Sequence, residues 1–458
     1  MINTSLDTIT RIHAAQQAFF ATRATYDIKF RKAMLKKLQA ALLKWEKPLC
    51  EALYKDLHKS YEEAYLTELS IVLGEIKNHI KHVSKWSKKR YVKTPLKLFP
   101  SLTYQVQEPL GNSLIIAPWN YPVQLLLNPL VGAISAGCTA ILKPSPYVEN
   151  VSTVLGEMIK ETFDEKYIAV VQGNREVNAQ LLELKFDNIF FTGSPTLGKT
   201  VMTAAAKNLT PVILELGGKS PCIIDETANI EMAARRISWG KTLNSGQTCI
   251  APDYVLIHKS QTEEFVKRFK ANLNKMHGEN AKTSAHYVRM VNSKEFNRVS
   301  SYLKDGEILL GGATDKKELY IEPTLLKVTD STTPVMTNEI FGPVLPIIEF
   351  SDKQEAIAFV NSRPKPLAFY YFGKSKNGWE AIKHCSSGGA CLNDTIMHIA
   401  NENSPFGGVG NSGLGSYHGK ESFTSFSHSR TVIFTPQWLD VPFRYMPYTL
   451  FKYIKWLL

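Results

Sequence analysis

One cysteine in this sequence occupies a position from which its thiol could react. Cys249 follows a helical stretch that ends in the small residues Ser245 and Gly246, and Pro252 stops the segment shortly afterwards. Small residues allow a close backbone approach, so the thiol is expected to face a cleft. A thiolate is a strong nucleophile, but an ordinary cysteine has a pKa of about 8.5 and needs a positive or dipolar environment to ionise near neutral pH. Considered alone, Cys249 is more often explained as an inert, buried residue.

A second stretch matches a phosphate-binding pattern. Residues 193–200 satisfy the sequence G-x-x-x-x-G-K-[ST], follow a short apolar run and open a helical run. With Asp225 as a magnesium ligand, this stretch predicts a P-loop nucleotide hydrolase. Pro195 argues against that alternative, because a phosphate-binding loop needs successive free N–H groups and proline has none. A helix N-terminus after a glycine turn still favours an anion, so the same residues suit the pyrophosphate of a dinucleotide.

The elements that must position these residues are short apolar runs that alternate with helical stretches. Five such runs are of strand length and apolar on both faces, at residues 113–116, 139–142, 168–171, 188–191 and 211–214. They are typical of βαβ units that build a buried parallel sheet. Because ligands bind at the carboxyl ends of the strands in such a sheet, the sequence predicts a nucleotide cleft there.

Helical and extended stretches surround this alternating region. Residues 12–57 and 62–86 have the apolar period of helices, with Leu35, Leu38 and Leu42 on one stripe. Further strands are predicted at residues 102–108, 254–257, 344–350, 367–372 and 431–434. The glycine-rich residues 405–415 predict a loop.

Composition excludes several classes of protein. The chain has 458 residues and a formal net charge of +12, but its basic residues are dispersed, which favours a solvated basic surface over nucleic-acid binding. The six cysteines form no Cys-x-x-Cys pair and have no zinc-type spacing with histidine, so neither a disulfide framework nor a metal site is predicted. The polar N-terminus and the lack of a run of about 18 apolar residues predict a cytoplasmic protein without a signal peptide or transmembrane helix.

Five motifs, in order along the chain, resemble those of the aldehyde dehydrogenase superfamily. They are PWNYP at 118–122, NIFFTGS at 188–194, ELGGK at 215–219, SGQTC at 245–249 and EIFGP at 339–343. Each motif alone is weak, but five in order are specific, and the resemblance covers nearly the whole chain. The short N-terminus and residues 405–428 are similar to the class 3 branch, which acts on fatty and aromatic aldehydes.

The resemblance implies an α/β fold. It would contain a Rossmann-like parallel-sheet cofactor domain, a second α/β catalytic domain and a small β element for oligomerisation. The implied division is 1–86 and 107–211 for the NAD(P)-binding domain, 212–393 for the catalytic domain, 87–106 and 413–436 for the oligomerisation strands, and 437–458 for a C-terminal tail. A homodimer is also implied, with residues 102–108 and 431–434 as interface strands.

The implied activity is oxidation of an aldehyde to a carboxylic acid with NAD or NADP. Addition of the Cys249 thiolate to the carbonyl creates the tetrahedral carbon from which a hydride can leave. The resulting oxyanion needs hydrogen-bond donors, which Asn120 and the backbone N–H of Cys249 would supply. Hydride loss leaves a thioester, and Glu215, at a predicted strand end, would act as general base on the hydrolytic water. Without these motifs, Asn120 would be explained as a turn former and Glu215 as a surface charge.

Cofactor and substrate contacts also follow from the resemblance. Glu339 would bind the nicotinamide ribose, Phe341 would pack near the nicotinamide ring, and Lys143 would bond the adenosine ribose. Tyr121 and Trp239 would line the aldehyde tunnel. The remaining cofactor-binding candidates are Trp119, Gly193, Ser194 and Gly198.

Cofactor selectivity is predicted from Pro146. The family often has an acidic residue at this position, near the adenosine ribose, and here no carboxylate would repel a 2′-phosphate. We therefore expect NADP to be used alongside NAD. His398 and His418 are interpreted as structural, since Glu215 already fills the role of the base.

The C-terminal residues predict a short amphipathic helix. Its apolar stripe comprises Leu450, Phe451, Ile454, Leu457 and Leu458, and two lysines lie off that stripe. The segment is far shorter than the roughly 20 residues that span a bilayer. Docking on protein, near the tunnel mouth or the dimer seam, is the favoured alternative. The other is a weak membrane-surface contact, with Trp456 at the headgroups.

Overall fold

The computed structural model describes residues 3–440 and 442–455, and its first 86 residues are mainly helical. Leu35, Leu38 and Leu42 are fully buried, as their position on one helical stripe requires. The helices of this region are α1 (Leu6–Ala21), α2 (Ile28–Lys44), α3 (Glu46–Leu57), α4 (Tyr61–Ala64) and α5 (Ser70–Trp86), with a π-helical turn at Tyr65–Leu69. The two predicted helical stretches are confirmed, and the first is divided into three helices.

A parallel sheet follows, as the alternating apolar runs predict. Two strands precede it, β1 (Arg90–Val92) and β2 (Leu102–Pro109). The parallel strands are β3 (Asn112–Ile116), β4 (Thr139–Lys143), β5 (Ile168–Val170), β6 (Asn188–Gly193) and β7 (Val212–Leu216). The connecting helices are α6 (Gln124–Ala136), α7 (Glu149–Thr162), α8 (Arg175–Glu183) and α9 (Pro195–Ala206). These strands lie in the order β7-β6-β3-β4-β5, and all five are confirmed to within two residues at either end.

A second sheet has seven strands. In chain order the strands of this region are β8 (Pro221–Ile224), β9 (Tyr254–His258), β10 (Glu307–Leu310), β11 (Thr314–Asp315), β12 (Tyr320–Ile321), β13 (Thr324–Lys327), β14 (Val344–Phe350), β15 (Ala368–Phe372) and β16 (Gly389–Leu392). The helices are α10 (Ile230–Thr242), α11 (Thr262–His277), α12 (Ser293–Ser301), α13 (Pro334–Thr337), α14 (Lys353–Asn361) and α15 (Ser375–His384). The sheet order is β10-β13-β14-β9-β8-β15-β16, while β11 and β12 pair separately. Predicted strands β9, β14 and β15 are confirmed.

The C-terminal part of the chain returns to the first sheet. Strand β17 (Gly413–Leu414) pairs antiparallel with β7, and Gly413 lies opposite Glu215. The prediction of a loop over the whole of 405–415 is therefore wrong at its end, because the glycine backbone there completes a sheet edge. After helix α16 (Lys420–Ser425), strand β18 (Ser427–Phe434) pairs with β2 in a three-stranded sheet of order β1-β2-β18. The two strands predicted to serve an oligomer interface thus pair with each other.

The change from the first sheet to the second lies in residues 217–220. Strand β7 belongs to the first sheet, although the sequence-based division assigns residues 212–393 to the catalytic domain. We propose that the cofactor domain includes β7 and that the boundary follows it. The ELGGK motif then spans the junction of the two units.

The C-terminal tail is described up to residue 455. Helix α17 (Phe451–Ile454) is a single turn, and the side chains of Leu450, Phe451 and Tyr453 are exposed on the chain. Leu457, Leu458 and Trp456 of the predicted apolar stripe and headgroup contact lie outside the described residues. Within the described ranges, no helix is long and apolar enough to cross a membrane.

Candidate active site

A cavity of about 1100 Å³ lies at the carboxyl ends of the first sheet, facing loops of the second α/β unit. Of the twelve side chains predicted for the site, ten line this cavity: Cys249, Glu215, Asn120, Trp119, Gly193, Ser194, Glu339, Phe341, Tyr121 and Trp239. Lys143 and Gly198 do not. The topology thus brings together motif residues that are up to 222 positions apart in the chain, from 119 to 341.

The turn that carries Cys249 contains three residues with left-handed backbone angles. Asn244, Ser245 and Gly246 follow helix α10 with φ values of 51°, 51° and 71°. Asparagine and glycine tolerate this region. At Gly246 a β-carbon would lie 2.3 Å from the backbone oxygen of Gly342, so only glycine allows the two loops to approach. This cysteine turn, residues 243–249, therefore packs directly on the loop that follows α13.

Cys249 is half-buried and lines the cavity. Burial raises the pKa of Cys249 to about 12, and the nearby Glu339 and Glu215 act in the same direction. The backbone N–H groups of Cys249 and Ile250 oppose this shift without cancelling it. The free protein therefore carries this residue as a thiol at neutral pH.

Asn120 lies on the loop between β3 and α6 and is 2% exposed. Its side-chain Nδ2 donates to the backbone oxygen of Gln247 at 3.0 Å, which places the amide beside the cysteine turn. Its backbone oxygen accepts from Asn244 Nδ2 at 2.9 Å and from Lys59 Nζ at 3.3 Å. The amide nitrogen carries two hydrogens, so its second N–H is available to a ligand in the cavity.

Glu215 lies near the carboxyl end of β7 and is 3% exposed. Neither of its carboxyl oxygens has a hydrogen-bond partner among the described residues. Burial therefore raises the pKa of Glu215 well above its ordinary value. A desolvated carboxyl without partners, in the same cavity as a thiol, is suited to exchanging a proton with water.

The loop that carries Glu339 is fixed on both sides by buried charges. Lys219 Nζ donates to the backbone oxygen of Asn338 at 2.9 Å. Asp253 Oδ1 accepts from the backbone N–H of Ile340 at 2.9 Å. Lys219 and Asp253 also form an ion pair with each other, so the residues before and after Glu339 are bound to one buried pair.

Glu339 is one of the residues that line the cavity. Burial raises the pKa of Glu339 to about 8, and its Oε1 has no hydrogen-bond partner in the described part of the chain. A β-carbon on Gly217 would lie 2.1 Å from this carboxyl, which explains the glycine. Phe341 has a φ of 49° and contacts Trp119 edge to face, with 5.3 Å between the ring centroids.

The family model for aldehyde dehydrogenases matches residues 3–432. The chain belongs to the aldehyde dehydrogenase family. It is 49% identical to 4,4'-diaponeurosporen-aldehyde dehydrogenase of Staphylococcus aureus, over 96% of both chains. It is 44% identical to aldehyde dehydrogenase family 3 member A2 of Rattus norvegicus, covering 92% of this chain and 87% of that protein. It is 42% identical to the dimeric NADP-preferring aldehyde dehydrogenase of Canis lupus familiaris, covering 93% and 95%.

Solved structures agree with this assignment. The substrate-bound state of Staphylococcus aureus AldH superimposes with a TM-score of 0.96 at 47% identity, covering 98% of this chain and 99% of that one. The predicted α/β fold and the resemblance to class 3 enzymes are therefore confirmed. The chain is an oxidoreductase of the aldehyde dehydrogenase type.

Residues 193–200 do not form a phosphate-binding loop in this aldehyde dehydrogenase. Strand β6 ends at Gly193 and helix α9 begins at Pro195, so one residue separates them and no loop is left to surround a phosphate. That residue, Ser194, caps the helix through its side chain. The P-loop alternative therefore lacks the geometry that it requires.

Two predicted cofactor residues lie outside the cavity lining. Gly198 is buried, and a β-carbon there would lie 2.7 Å from the side chain of Leu216, so this glycine lets α9 pack on β7. Lys143 ends β4 and is buried, and its ammonium donates to the backbone oxygen of Pro144 at 2.9 Å. Burial lowers the pKa of Lys143 to about 8.

The predicted tunnel residues line a largely apolar part of the cavity. The hydroxyl of Tyr121 lies 2.7 Å from Thr248 Oγ1, beside Cys249. Sequence reasoning assigned no role to several other residues of this wall, which are Leu66, Ile71, Gln124, Leu125, Leu243, Ile396, Ile399, Phe406 and Tyr417. Leu66, Ile71, Ile396 and Ile399 come from segments outside the quoted motifs, so no motif marks them.

The two histidines interpreted as structural differ in position. His418 lines the cavity, is 4% exposed, and has its ring centroid 4.4 Å from that of Tyr417. Burial lowers the pKa of His418, so its imidazole is neutral at pH 7. His398 is not part of the cavity lining; its Nδ1 lies 3.4 Å from the sulfur of Cys391.

Proposed function

We propose that this aldehyde dehydrogenase oxidises medium- and long-chain aliphatic or aromatic aldehydes to carboxylic acids with NAD or NADP. One observation carries the proposal: Cys249, Asn120, Glu215 and Glu339 line a single cavity. A nucleophile, a neutral hydrogen-bond donor, a base and a ribose-binding carboxyl are the groups that this reaction requires.

In the first step, the Cys249 thiol loses its proton to solvent, the resulting thiolate attacks the aldehyde carbon, and the carbonyl oxygen takes the negative charge. The Asn120 amide and the backbone N–H of Cys249 donate to that oxygen. Because hydrogen bonds to Gln247 and Asn244 already fix Asn120, little reorganisation is needed when the charge develops. A bound nicotinamide would supply the hydride acceptor for the tetrahedral carbon, and Cys249 would then carry the thioester.

In the second step, Glu215 takes a proton from the water that attacks the thioester. The thioester C–S bond breaks, the carboxylic acid is released, and the Cys249 sulfur takes the proton back from Glu215. Two features of Glu215 support this role: its oxygens have no partner among the described residues, and its raised pKa makes its ionised form a stronger base.

The residues around Glu339 suit a dinucleotide. Glu339 lines the cavity, and its buried Oε1 has no hydrogen-bond partner among the described residues, so it would accept from the ribose hydroxyls. Gly193 and Ser194 lie at the N-terminus of α9, where backbone N–H groups favour an anion such as the pyrophosphate. Trp119 and Phe341 add an aromatic wall at the nicotinamide end.

The adenosine ribose would lie near the end of β4. Lys143 would donate to its hydroxyls in place of the backbone oxygen of Pro144. Pro146 carries no charge that could repel a 2′-phosphate, and one relative is named NADP-preferring. We therefore propose that both NAD and NADP are used, and that Pro146→Glu favours NAD.

The substrate class is inferred from the apolar wall. Tyr121, Trp239 and the aliphatic residues near them bury apolar surface without offering a charge to a polar substrate. One relative is named for 4,4'-diaponeurosporen-aldehyde, and its 49% identity supports a large apolar aldehyde here.

A homodimer and a peripheral membrane contact complete the proposal. Strand β18 lies at a sheet edge, where Ile433 and Phe434 are 52% and 56% exposed, and a relative is named dimeric. The exposed aromatic residues of the tail suit either the dimer seam or the headgroup region of a membrane, in keeping with a cytoplasmic enzyme at a membrane surface.

The test is absorbance of the reduced nicotinamide across aldehydes of increasing chain length, with NAD and NADP in parallel. The wild-type enzyme should turn over apolar aldehydes with both cofactors. Cys249→Ala should abolish turnover and still bind the cofactor. Turnover by that variant at the wild-type rate would refute the mechanism, and turnover restricted to small polar aldehydes would refute the substrate class.

A further inference from the structure

Two charged side chains that the reaction does not use lie beneath the loop that carries Asn120. Lys59 and Glu68 are both 0% exposed, and Lys59 Nζ donates to Glu68 Oε1 at 2.8 Å. Transferring such a pair out of water is costly, and an apolar pair of similar volume is often at least as stable. A buried ion pair is therefore weak evidence for stability, and this pair also contacts the loops of the candidate site.

Lys59 contacts the loop between β3 and α6 at two points. Its ammonium donates to the backbone oxygen of Asn120 at 3.3 Å and lies 4.3 Å from the centroid of the Tyr121 ring. The hydroxyl of Tyr121 is in turn hydrogen-bonded to Thr248, the residue before Cys249. Lys59 thus fixes the part of the β3–α6 loop that faces the cysteine turn.

Glu68 binds the other end of the β3–α6 loop. Its Oε2 accepts from the backbone N–H groups of Val123 at 2.8 Å and Gln124 at 3.1 Å. These groups lie at the N-terminus of α6, where a carboxylate is favoured. Glu68 itself belongs to the π-helical turn Tyr65–Leu69, a type of distortion that is frequent near functional sites.

The segment 59–68, which contains Lys59 and Glu68, also contacts the cysteine turn. Glu63 Oε1 accepts from the backbone N–H of Asn244 at 2.9 Å. Asn244 Nδ2 donates to the backbone oxygens of Asn120 at 2.9 Å and Gln247 at 3.1 Å. The β3–α6 loop and the cysteine turn are therefore bound to each other and to one buried segment.

We propose that Lys59 and Glu68 are positioning residues that set the Asn120 amide relative to Cys249. The inference rests on the proposed function, in which Asn120 donates to the oxyanion. Neither Lys59 nor Glu68 lines the cavity, so their effect passes through the backbone of the β3–α6 loop.

Two reagents separate oxyanion stabilisation from thiol reactivity, and neither requires a cofactor. p-Nitrophenyl acetate acylates Cys249 through a tetrahedral oxyanion and releases p-nitrophenolate. Iodoacetamide alkylates the same sulfur by displacement of iodide and forms no oxyanion. The ratio of the two rate constants therefore reports the placement of Asn120 rather than general damage to the site.

Four variants of the full-length chain are compared with wild type. Lys59→Met combined with Glu68→Leu removes both charges at similar volume, which avoids an unpaired buried charge. Glu68→Gln is the conservative change, and Asn120→Ala is the reference for loss of the donor. The control is Lys353→Met with Glu380→Leu, an ion pair of 2.7 Å outside the cavity lining.

Asn120→Ala should slow acylation by about 100-fold, the usual effect of losing one oxyanion donor. The Lys59/Glu68 double variant and Glu68→Gln should slow it by about tenfold or more, with alkylation within about twofold of wild type and thermal unfolding retained. The control pair should leave both rates unchanged.

Each other outcome is decisive. Normal acylation in the double variant and in Glu68→Gln, with slow acylation in Asn120→Ala, would overturn this inference alone. Equal losses of acylation and alkylation would assign the pair to general folding and also overturn it. Normal acylation in Asn120→Ala would overturn the oxyanion role in the proposed function, and this inference with it.

Discussion

Cys249, Glu215 and Glu339 share one electrostatic setting at the residue scale. Burial raises the pKa of each, and within the described ranges none of them forms an ion pair. Ionised groups that line one cavity would repel one another, and this repulsion acts in the same direction as burial on the three pKa values. Reaction therefore requires that protons leave before the thiol and the base can act.

The pH dependence follows from the direction of these shifts. In the proposed mechanism, the reactive forms of Cys249 and Glu215 are the deprotonated ones, and both pKa values are raised, so the populations of these forms grow as pH rises. We expect kcat/KM to increase from pH 6.5 to pH 9.5 by up to about tenfold per pH unit. Steady-state rates with one aldehyde and saturating cofactor measure this. A profile that falls above pH 7 would contradict the assignment.

Replacing Glu215 should separate the two chemical steps. Glu215→Gln keeps the shape of the side chain but removes the base, so the enzyme should form one equivalent of reduced cofactor and then stall with a thioester on Cys249. Stopped-flow absorbance and the mass of the intact protein detect the burst and the acyl group. Glu339→Gln is the comparison, because it should weaken cofactor placement and give a slow phase without a burst. Finding no acyl-enzyme in Glu215→Gln would assign the base to another residue.

The elements differ in how clearly the sequence reveals them. Strands of the first sheet are apolar on both faces and separated by helix-length stretches, so their period identifies them. Strands β10, β13 and β16 have only four residues each and include Glu307, Lys327 or Gly389 at their ends, so no continuous apolar run marks them. Pairing with neighbouring strands, rather than local pattern, makes these segments extended.

The residues of the candidate site also differ in how clearly the sequence reveals them. Its chemical groups lie in contiguous motifs, and the sequence therefore predicts them. The tunnel wall and the Lys59 contact with Asn120 join residues far apart in the chain, and only the folded topology brings them together. Lys143 and Gly198 lie outside the cavity lining, and their cofactor roles stay predictions, because family resemblance assigns a role without showing what a residue packs against.

The cysteine turn is an element whose geometry can be tested with one methyl group. In Gly246→Ala the β-carbon would meet the Gly342 oxygen at 2.3 Å, in addition to the cost of its positive φ. We expect a loss of about 2–3 kcal/mol in unfolding free energy and of tenfold or more in kcat/KM, because Cys249 shifts. Urea unfolding and steady-state rates measure the two effects.

Gly410→Ala is the matched control for that turn. Gly410 also has a positive φ, of 64°, but the nearest neighbour of a β-carbon there would be Cδ of Lys365, at 3.8 Å. The Gly410→Ala variant should lose only about 1 kcal/mol of unfolding free energy and keep its activity. If the two variants behaved alike, the contact with Gly342 would not be the constraint.

At the scale of the whole molecule, one apolar core extends under both sheets. Ile115 and Phe190 of the first sheet and Ile224 and Val255 of the second belong to the same contiguous cluster of buried side chains. A titratable group enclosed by such packing cannot gain a charge without loss of stability. The pH dependence of stability therefore reports on the packing of the fold, independently of catalysis.

His277 and His398 allow the link between packing and the pH dependence of stability to be measured. Burial lowers the pKa of both to about 4, and three of their four ring nitrogens have no hydrogen-bond partner among the described residues. An unfolded histidine binds a proton below about pH 6.5. Between pH 6.5 and pH 4 the unfolded chain therefore binds more protons than the folded one, so stability falls as pH falls. We expect a loss of about 1–2 kcal/mol per histidine between pH 7 and pH 5, allowing for partial exposure to water.

Urea unfolding at those two pH values tests the assignment in His277→Phe, in His398→Phe and in the double variant. Phenylalanine keeps an aromatic ring in each packed position and cannot be protonated. Each substitution should therefore abolish the loss of unfolding free energy that its histidine causes between pH 7 and pH 5. The effects of the two substitutions should add, because the sites are separate. The exposed His384 changed to phenylalanine controls for the substitution itself. If the His277 and His398 variants lost as much stability on acidification as wild type, other groups, such as the buried carboxylates, would carry the acid sensitivity of this fold.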